Sequence, residues 1–248
     1  MARELVEQAR KFFVHSEFAA RLTRLDANPE DEAKIAVVPF GHPPPDEAAA
    51  APNREEALVA TFGLATPAKR IEILIDAFGK VVKTVPHARL AVVGDIEPAS
   101  DRNRYESELD RAGLSANVQL LGRVDRHEYR DYLRRATVAV QLRSVTYGEN
   151  SGAVADCLAG GVPTIVSALG AARELPDSAV VKVGTDCTAE QLGHEIAALL
   201  QDGPRREMLS ADGLAYARAN SFAKVADALF RELATKKERR SIRRAATA

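Results

Sequence analysis

Two carboxylates and the start of a short helix lie together within residues 146–169. Glu149 is in a polar loop, Ser151 follows as a candidate N-cap, and Asp156 comes about one turn into a run of small residues. The first amides of a helix have no partner within the helix, and they carry a partial positive charge. This pattern predicts a phosphate-binding site at the helix start, flanked by the two carboxylates.

The residues around this short helix indicate how it is held. Pro163 blocks its continuation, and the β-branched run at 164–166 is typical of a buried parallel strand. On a helical wheel, Gly152, Asp156 and Ala159 share a face of small residues, whereas Ala153, Val154, Cys157 and Leu158 form an apolar face that should be buried. Taken alone, the pattern also fits an ordinary capped helix that carries an occasional acid.

The composition excludes several classes of function. The chain of 248 residues is 46% apolar and 28% charged, which is ordinary for a soluble globular protein with one large or two small domains. Its formal net charge of −1 provides no field for nucleic acid, so we expect no nucleic-acid partner. Cys157 and Cys187 form no metal-like cluster, and no apolar run approaches the roughly 20 residues of a membrane span.

Strand-like and helix-like segments alternate along most of the chain. This alternation predicts an α/β fold with a Rossmann-like, doubly wound parallel sheet. Ligands bind such sheets at the carboxyl ends of the strands, so the functional residues should lie in the loops that follow strands. A GxGxxG fingerprint after a strand and a GxxxxGK[ST] loop are both missing, which argues against dinucleotide binding and P-loop chemistry. The predicted strands are 58–62, 90–93, 118–121, 137–142, 164–166 and 179–183; the predicted helices cover about 69–82, 101–112, 125–136, 188–201, a segment from 204, and 221–234.

Several segments, taken in their order, are informative together. They are FFVHSEFAARL with KIAVVPFG, TFGLATPAKRIEILIDAF, VQLLGRVDRHEYRDYLRRATVAVQLRS and TYGENSGAVADCLAGGVPTIVSALGAARELPD. They resemble, respectively, the domain crossover, the phosphate loop, the base-binding segment and the acid-bearing segment of the family 4 (group 1) retaining glycosyltransferases, which have the GT-B fold. The resemblance covers about residues 12–235.

The resemblance also implies a division of the chain. Residues 1–34 would be a remnant of the N-terminal acceptor domain and its crossover, residues 35–220 the nucleotide-sugar-binding Rossmann-like domain, and residues 221–248 a C-terminal helix with a basic tail. The chain would then be one half of a GT-B enzyme, the C-terminal donor-binding domain, whose missing partner is the N-terminal acceptor domain. We expect this isolated domain to be inactive without that half.

Residue roles follow from the resemblance by position. It implies catalytic roles for Lys69, which would contact the donor diphosphate, and for Glu149, which would face the donor sugar. Asp156 would accept the ribose hydroxyls, since a carboxylate can accept two such hydrogen bonds. The remaining donor-binding residues implied are Gly63, Arg70, Gly122, Arg123, Val124, Asn150, Ser151 and Gly152, of which 122–124 would hold the base and 150–152 the diphosphate.

The sequence departs from the family pattern in three ways. Glu149 and Asp156 are one position closer together than is usual, and the second acid is Asp in place of Glu. Leu64 stands where many members have an arginine, which leaves Arg70 as the candidate to replace that diphosphate contact. These departures leave open whether Glu149 takes the usual role and whether the domain is fully active.

The function implied is transfer of a hexose from a UDP-, GDP- or ADP-linked sugar to a hydroxyl acceptor with retention of configuration. We expect no metal ion and no other cofactor, because a lysine and a helix start can hold the leaving diphosphate. One alternative is a nucleotide-sugar-binding module or scaffold without catalysis. Another is a nucleotide-sugar epimerase of the same fold, for which His15 and His42 are the candidate bases.

The C-terminal tail is basic. Its charges favour either a disordered, solvated end or a contact with an anionic membrane surface, worth ~1 kcal/mol per Lys or Arg. We expect a cytoplasmic protein, either free or peripheral to the inner face of the membrane. The basic residues are Lys236, Lys237, Arg239, Arg240, Arg243 and Arg244.

Overall fold

A computed structural model of the chain describes residues 2–44 and 54–234. Its strands are Phe12–Val14 (β1), Ile35–Val37 (β2), Leu58–Phe62 (β3), Arg89–Val93 (β4), Val118–Gly122 (β5), Val138–Gln141 (β6), Thr164–Ser167 (β7) and Val181–Val183 (β8). In the described residues, β1 and β2 form a parallel pair, and the other strands form a six-stranded parallel sheet in the order β5-β4-β3-β6-β7-β8. The predicted α/β class and doubly wound parallel sheet are confirmed.

The helices connect these parallel strands across both faces of the sheet. They are Ala2–Gln8 (α1), Glu17–Asp26 (α2), Ile71–Thr84 (α3), Ala99–Ala112 (α4), Arg126–Arg135 (α5), Gly152–Ala159 (α6), Ala189–Gln201 (α7), Gly203–Ala219 (α8) and Phe222–Leu233 (α9). Short 3₁₀ helices occupy Pro29–Lys34, Pro67–Lys69 and Gly170–Glu174. None of the described helices is both long and apolar enough to cross a membrane. The basic tail lies outside the described residues.

The strand order reverses between β3 and β6, and this reversal positions the site. The chain runs outward from β3 through β4 to β5, and later from β6 through β7 to β8. Because β3 and β6 are neighbours whose connections leave in opposite directions, a crevice opens between the loops that follow them. Lys69 follows β3 and Glu149 follows β6, so both loops border this crevice.

The central strand β3 is buried on both faces. Val59 packs in one apolar cluster with Phe78 of α3 and Ile196 of α7. Phe62 packs in a second cluster on the opposite face, with Cys157 of α6. A strand that is apolar at consecutive positions is therefore explained by helices on both sides, as in other parallel sheets.

Side chains cap the starts of α5, α6 and α7, and the predicted Ser151 cap is among them. The Ser151 hydroxyl accepts from the Val154 amide at 3.3 Å, which caps α6. Thr188 and Gln191 form the complete reciprocal capping box at the start of α7. At the start of α5 the Asp125 side chain accepts from the amide of Glu128 at 2.9 Å.

Some predicted boundaries differ from the structure. The helix predicted from Lys69 begins at Ile71, because Arg70 has a φ of 52° and interrupts the helical backbone after the short 3₁₀ turn. The polar composition of residues 27–34 predicts a loop, but Pro29–Lys34 is a 3₁₀ helix closed by a Lys34–Asp31 ion pair of 2.7 Å. The Pro- and Ala-rich composition of residues 43–53 predicts a linker or loop, of which only residues 43–44 lie within the described residues.

Two glycines let the loops after β3 and β4 approach each other. Gly63 and Gly94 have φ angles of 89° and 146°, which strongly favour glycine. A Cβ built on Gly94 would lie 2.2 Å from the carbonyl oxygen of Gly63. No side chain fits at this contact, so glycine is required where these two loops meet at the carboxyl edge of the sheet.

The β1–β2 unit is joined to the main sheet beside this same edge. The Glu174 carboxylate accepts from the amides of Glu17 and Phe18, at 2.9 and 2.7 Å, at the start of α2. The His42 amide donates to the Asn220 carbonyl at 2.9 Å, and the Phe222 amide donates to the His42 carbonyl at 3.2 Å. The His42 contacts hold the segment after β2 against the turn between α8 and α9.

Candidate functional site

Two adjoining cavities lie at the reversal point of the sheet, and Lys69, Arg143, Asn150 and Ser151 line both. The first cavity has a volume of about 240 Å³ and reaches toward the β1–β2 unit. The second cavity has a volume of about 320 Å³ and lies against the start of α6. The first is also lined by Gln141, Glu149, His15 and His42, and the second by Gly63, Gly152 and Ala153.

The ammonium of Lys69 lies between the two cavities. Its Nζ donates to Gln141 Oε1 at 3.2 Å and lies 3.5 Å from the Phe62 carbonyl oxygen. Burial, together with the nearby charge of Arg143, lowers the pKa of Lys69 to about 8. The side chain is therefore mainly cationic at neutral pH, and it is held where an anionic ligand could replace the solvation it has lost.

The Glu149 carboxylate is fixed by its own loop. It pairs with the Arg143 guanidinium, accepts from the Tyr147 amide at 2.7 Å and accepts from the Thr146 hydroxyl at 3.2 Å. Partial burial opposes ionisation, but the backbone amides and Arg143 outweigh it and hold the pKa of Glu149 below its ordinary value. Glu149 is therefore an oriented, ionised carboxylate at the wall of the first cavity.

The start of α6 faces open space. Ser151 caps the helix, and a Cβ built on Gly152 would meet no heavy atom within 4 Å. The amides of Gly152 and Ala153 have no acceptor among the residues that the structure describes. Together with Lys69 and Arg143, these amides can surround an anion on several sides in the second cavity.

Asp156 lies in a different cavity from Lys69 and Glu149. A third cavity of about 310 Å³, between α5 and α6, is lined by Asp156 together with Tyr129, Arg126 and Arg130. The Tyr129 hydroxyl donates to Asp156 Oδ2 at 2.9 Å. Burial raises the pKa of Asp156 above its ordinary value, although the Tyr129 hydrogen bond opposes this. The carboxylate is thus poorly solvated, and it projects from α6 one turn beyond the open amides.

The other predicted donor-binding residues lie outside the first two cavities. The Arg70 guanidinium donates to the carbonyls of Thr185 and Cys187, at 2.7 and 3.2 Å, and so is committed to the loop after β8. Gly122 ends β5 with a φ of 72°, Arg123 is exposed, and Val124 packs against the cluster that contains Phe62.

The two histidines considered as epimerase bases both line the first cavity. His15 Nδ1 lies 3.2 Å from the Pro39 carbonyl oxygen. His42 is 3% exposed, and its Nδ1 lies 2.9 Å from the Phe40 carbonyl oxygen. Burial lowers the pKa of His42 below its ordinary value, so this imidazole is neutral at pH 7, with Nδ1–H donating to the carbonyl.

Sequence reasoning missed two residues of the site, Gln141 and Arg143. Gln141 lies within the predicted apolar strand 137–142 and is the last residue of β6, and Arg143 follows this strand. A signal was available, because an amide at the end of an otherwise apolar strand at the reversal point is poorly explained by packing alone.

The sequence matches the family described as "Glycosyl transferases group 1" over residues 45–215. A curated relative from Corynebacterium glutamicum, a GDP-mannose-dependent monoacylated alpha-(1-6)-phosphatidylinositol monomannoside mannosyltransferase, is 32% identical over 171 residues, which are 65% of this chain and 42% of the relative. A D-inositol 3-phosphate glycosyltransferase from Segniliparus rotundus is 30% identical over 216 residues, which are 80% of this chain and 46% of the relative. The chain spans less than half the length of each.

Solved structures share this fold at lower sequence identity. Anabaena HepE in complex with UDP superposes with a TM-score of 0.77 at 16% identity, covering 91% of this chain and 64% of that one. Sucrose-phosphate synthase from Thermosynechococcus elongatus superposes with a TM-score of 0.72 at 26% identity, covering 93% of this chain and 60% of that one. The fold is shared with solved structures that include WaaG, a glycosyltransferase involved in lipopolysaccharide biosynthesis, as the sequence resemblance implied.

Proposed function

The chain belongs to the glycosyl transferases group 1 family, and from this premise we propose that it binds the nucleotide-sugar donor of a retaining hexosyl transfer to a hydroxyl acceptor. The observation that carries the proposal is the convergence of Lys69, Glu149 and the open amides of α6 on two adjoining cavities. The diphosphate occupies the second cavity, and the sugar extends into the first, toward Glu149. We assign acceptor binding to the part of the relatives' length that this chain does not match.

The chemistry asked of these residues is charge stabilisation. As the glycosidic bond breaks, negative charge grows on the leaving diphosphate, and preorganised cations and amides lower the barrier. Lys69 and Arg143 supply the cations, and the start of α6 supplies the amides. Glu149, held by Arg143 and the Tyr147 amide, orients the sugar so that the acceptor attacks with retention of the anomeric configuration. These positive groups suit a reaction without a metal ion, so we expect chelators to leave donor binding unchanged.

Calorimetric titration of the chain with UDP, GDP and ADP tests the proposal directly. We include GDP and UDP because the C. glutamicum relative is named GDP-mannose-dependent and HepE was solved with UDP. We expect one of the three to bind with a dissociation constant below about 1 mM, which corresponds to a favourable binding free energy of at least roughly 4 kcal/mol. If the folded chain binds none of them at millimolar concentration, the proposal is wrong.

Asp156→Asn should change affinity and stability in opposite directions. We propose that Asp156, about 6 Å along the helix from the open amides, accepts the ribose hydroxyls. Loss of this charged acceptor should weaken nucleoside diphosphate binding about tenfold. Since its folded pKa is raised, stability falls as pH rises through that pKa, and the ionised group is destabilising at pH 7. The variant should therefore melt at a higher temperature than the wild type.

Asp212→Asn provides the matched control for this measurement. Asp212 is an exposed residue of α8, far in sequence from the site, and its neutralisation removes the same formal charge. We expect neither nucleotide affinity nor melting temperature to change appreciably. If Asp156→Asn lowers the melting temperature while affinity stays constant, Asp156 has a structural role and the ribose assignment fails.

A non-catalytic nucleotide-sugar-binding module is the second candidate. Two observations favour it, because Arg70 is turned away from the cavities and Asp156 lines a separate one. Both candidates bind the donor, so the titration does not separate them. A second experiment separates them: the acceptor-binding half of a related enzyme is added and release of nucleoside diphosphate is measured. A non-catalytic module releases none.

A further inference from the structure

Gln141 is a buried amide at the reversal point of the sheet. It is the last residue of β6, the strand that neighbours β3, and it is 4% exposed. The preceding residues of β6 are all apolar. Since a buried amide needs partners for its donors and for its acceptor, its hydrogen bonds show what the position is suited to bind.

Only one end of this amide is satisfied. Gln141 Oε1 accepts from Lys69 Nζ at 3.2 Å, whereas Gln141 Nε2 has no partner within the described part of the chain. The orientation is fixed by chemistry, because the Lys69 ammonium is a donor only and must face the oxygen. A buried donor that has lost its hydrogen bond to water and gained no other partner is unfavourable, so this N–H₂ group is expected to meet an acceptor from outside the chain.

The unpaired amide borders the first cavity together with a complementary group. Asn150 Oδ1 is also buried and accepts no hydrogen bond from the residues described. Gln141 and Asn150 both line the first cavity, so one offers an unused donor and the other an unused acceptor. A hydroxyl group both accepts and donates, which makes it the ligand group that suits such a pair.

We propose that Gln141 is a sugar-recognition residue of the donor site: its amide nitrogen donates to a hydroxyl of the donor hexose while its oxygen positions Lys69. This inference rests on the proposed function, in which the diphosphate occupies the second cavity and the sugar the first. Gln141 lines only the first of these two cavities, whereas Lys69 lines both. The Gln141 amide therefore contacts the sugar, and Lys69 contacts the diphosphate.

The test compares each nucleotide sugar with its own nucleoside diphosphate. GDP-mannose and GDP, and UDP-glucose and UDP, are titrated into the wild-type chain, Gln141→Leu and Gln141→Met. Because the diphosphate is common to both members of a pair, the ratio of their dissociation constants cancels any effect of the change on Lys69. We expect this ratio to shift about tenfold against the nucleotide sugar in both variants.

Gln119→Leu is the matched control, since Gln119 lies on the edge strand β5 and its oxygen accepts from Tyr132 at 3.3 Å, away from the cavities. The ratio of the two dissociation constants in Gln119→Leu should equal that of the wild type. Monodeoxy sugar nucleotides then identify the hydroxyl, because its removal should weaken binding to the wild type but not to Gln141→Met. Urea unfolding checks that both variants are folded.

The outcomes separate the two proposals. If the wild type binds a nucleoside diphosphate but the ratio in both folded Gln141 variants stays within about twofold of the wild type, this inference is wrong; where both affinities are also unchanged, the amide holds a water molecule. If the variants lose the diphosphate and the nucleotide sugar equally, Gln141 acts only through Lys69. If the wild type binds no nucleotide, the proposed function itself fails.

Discussion

Lys69→Met should weaken nucleoside diphosphate binding by roughly 10–100-fold at pH 7, the range expected for loss of a hydrogen bond to a charged group. Methionine preserves the length of the side chain and much of its apolar contact, so the change removes mainly the ammonium. Lys80→Met is the control, because Lys80 also lies on the segment after β3 but its ammonium pairs with Glu190 at 3.1 Å on the exposed face of α3. The affinity of Lys80→Met for the nucleoside diphosphate should equal that of the wild type.

The pH dependence of this affinity identifies the charge that matters. The pKa of Lys69 is lowered to about 8, so the wild type should lose affinity as pH rises from 7 to about 9.5, when the ammonium loses its proton. The second ionisation of a terminal phosphate has a pKa of ~6, below this window, and so does not produce the same trend. In Lys69→Met the affinity should be low and flat over the same range.

Stability should respond to pH in the opposite direction. Between pH 8 and 10.5 the unfolded chain binds a proton at Lys69 that the folded chain has released, so folding stability rises with pH in this window. The buried cation is therefore destabilising at pH 7, and Lys69→Met should unfold at a higher urea concentration there. Loss of both affinity and stability in Lys69→Met would indicate that Lys69 only supports the local fold.

The sheet order and the loops that border the cavities were predictable because local patterns specify them. Apolar runs such as β3 and amphipathic segments such as α3 give the strand and helix order, and this order alone implies a parallel sheet with ligands at its carboxyl edge. The loops after β3 and β6 then had to meet, which is why Lys69, Glu149 and the start of α6 lie together.

The rest of the site depends on contacts between residues that are distant in sequence. Arg70 was predicted to face the diphosphate, but a φ of 52° and the carbonyls of Thr185 and Cys187 direct its guanidinium to the loop after β8. Asp156 was expected beside the same ligand groups as Glu149, yet its partner Tyr129 comes from α5 and its cavity is a separate one. No local pattern encodes such pairings.

Arg54 is the clearest case of a contact that the sequence conceals. It lies next to the Pro- and Ala-rich segment predicted as a linker, but its guanidinium donates to five backbone carbonyls. These are the carbonyls of Leu133, Arg134 and Ala136 at the end of α5 and of Gly160 and Gly161 at the end of α6. Burial lowers the pKa of Arg54 to about 10, so it stays charged at neutral pH.

Arg54→Met should therefore destabilise the chain by about 3 kcal/mol, because it leaves the last carbonyls of two helices without their shared donor. Urea unfolding at pH 7 and 25 °C measures this, with Arg111→Met as the control: Arg111 is exposed on α4 and donates to the Ser107 carbonyl of its own helix. Arg54→Lys should fall between the two, since an ammonium lacks the planar fork that reaches both helices. If Arg54→Met is no less stable than Arg111→Met, the Arg54 hydrogen bonds contribute nothing to the free energy of unfolding, and packing alone holds the carboxyl end of α6.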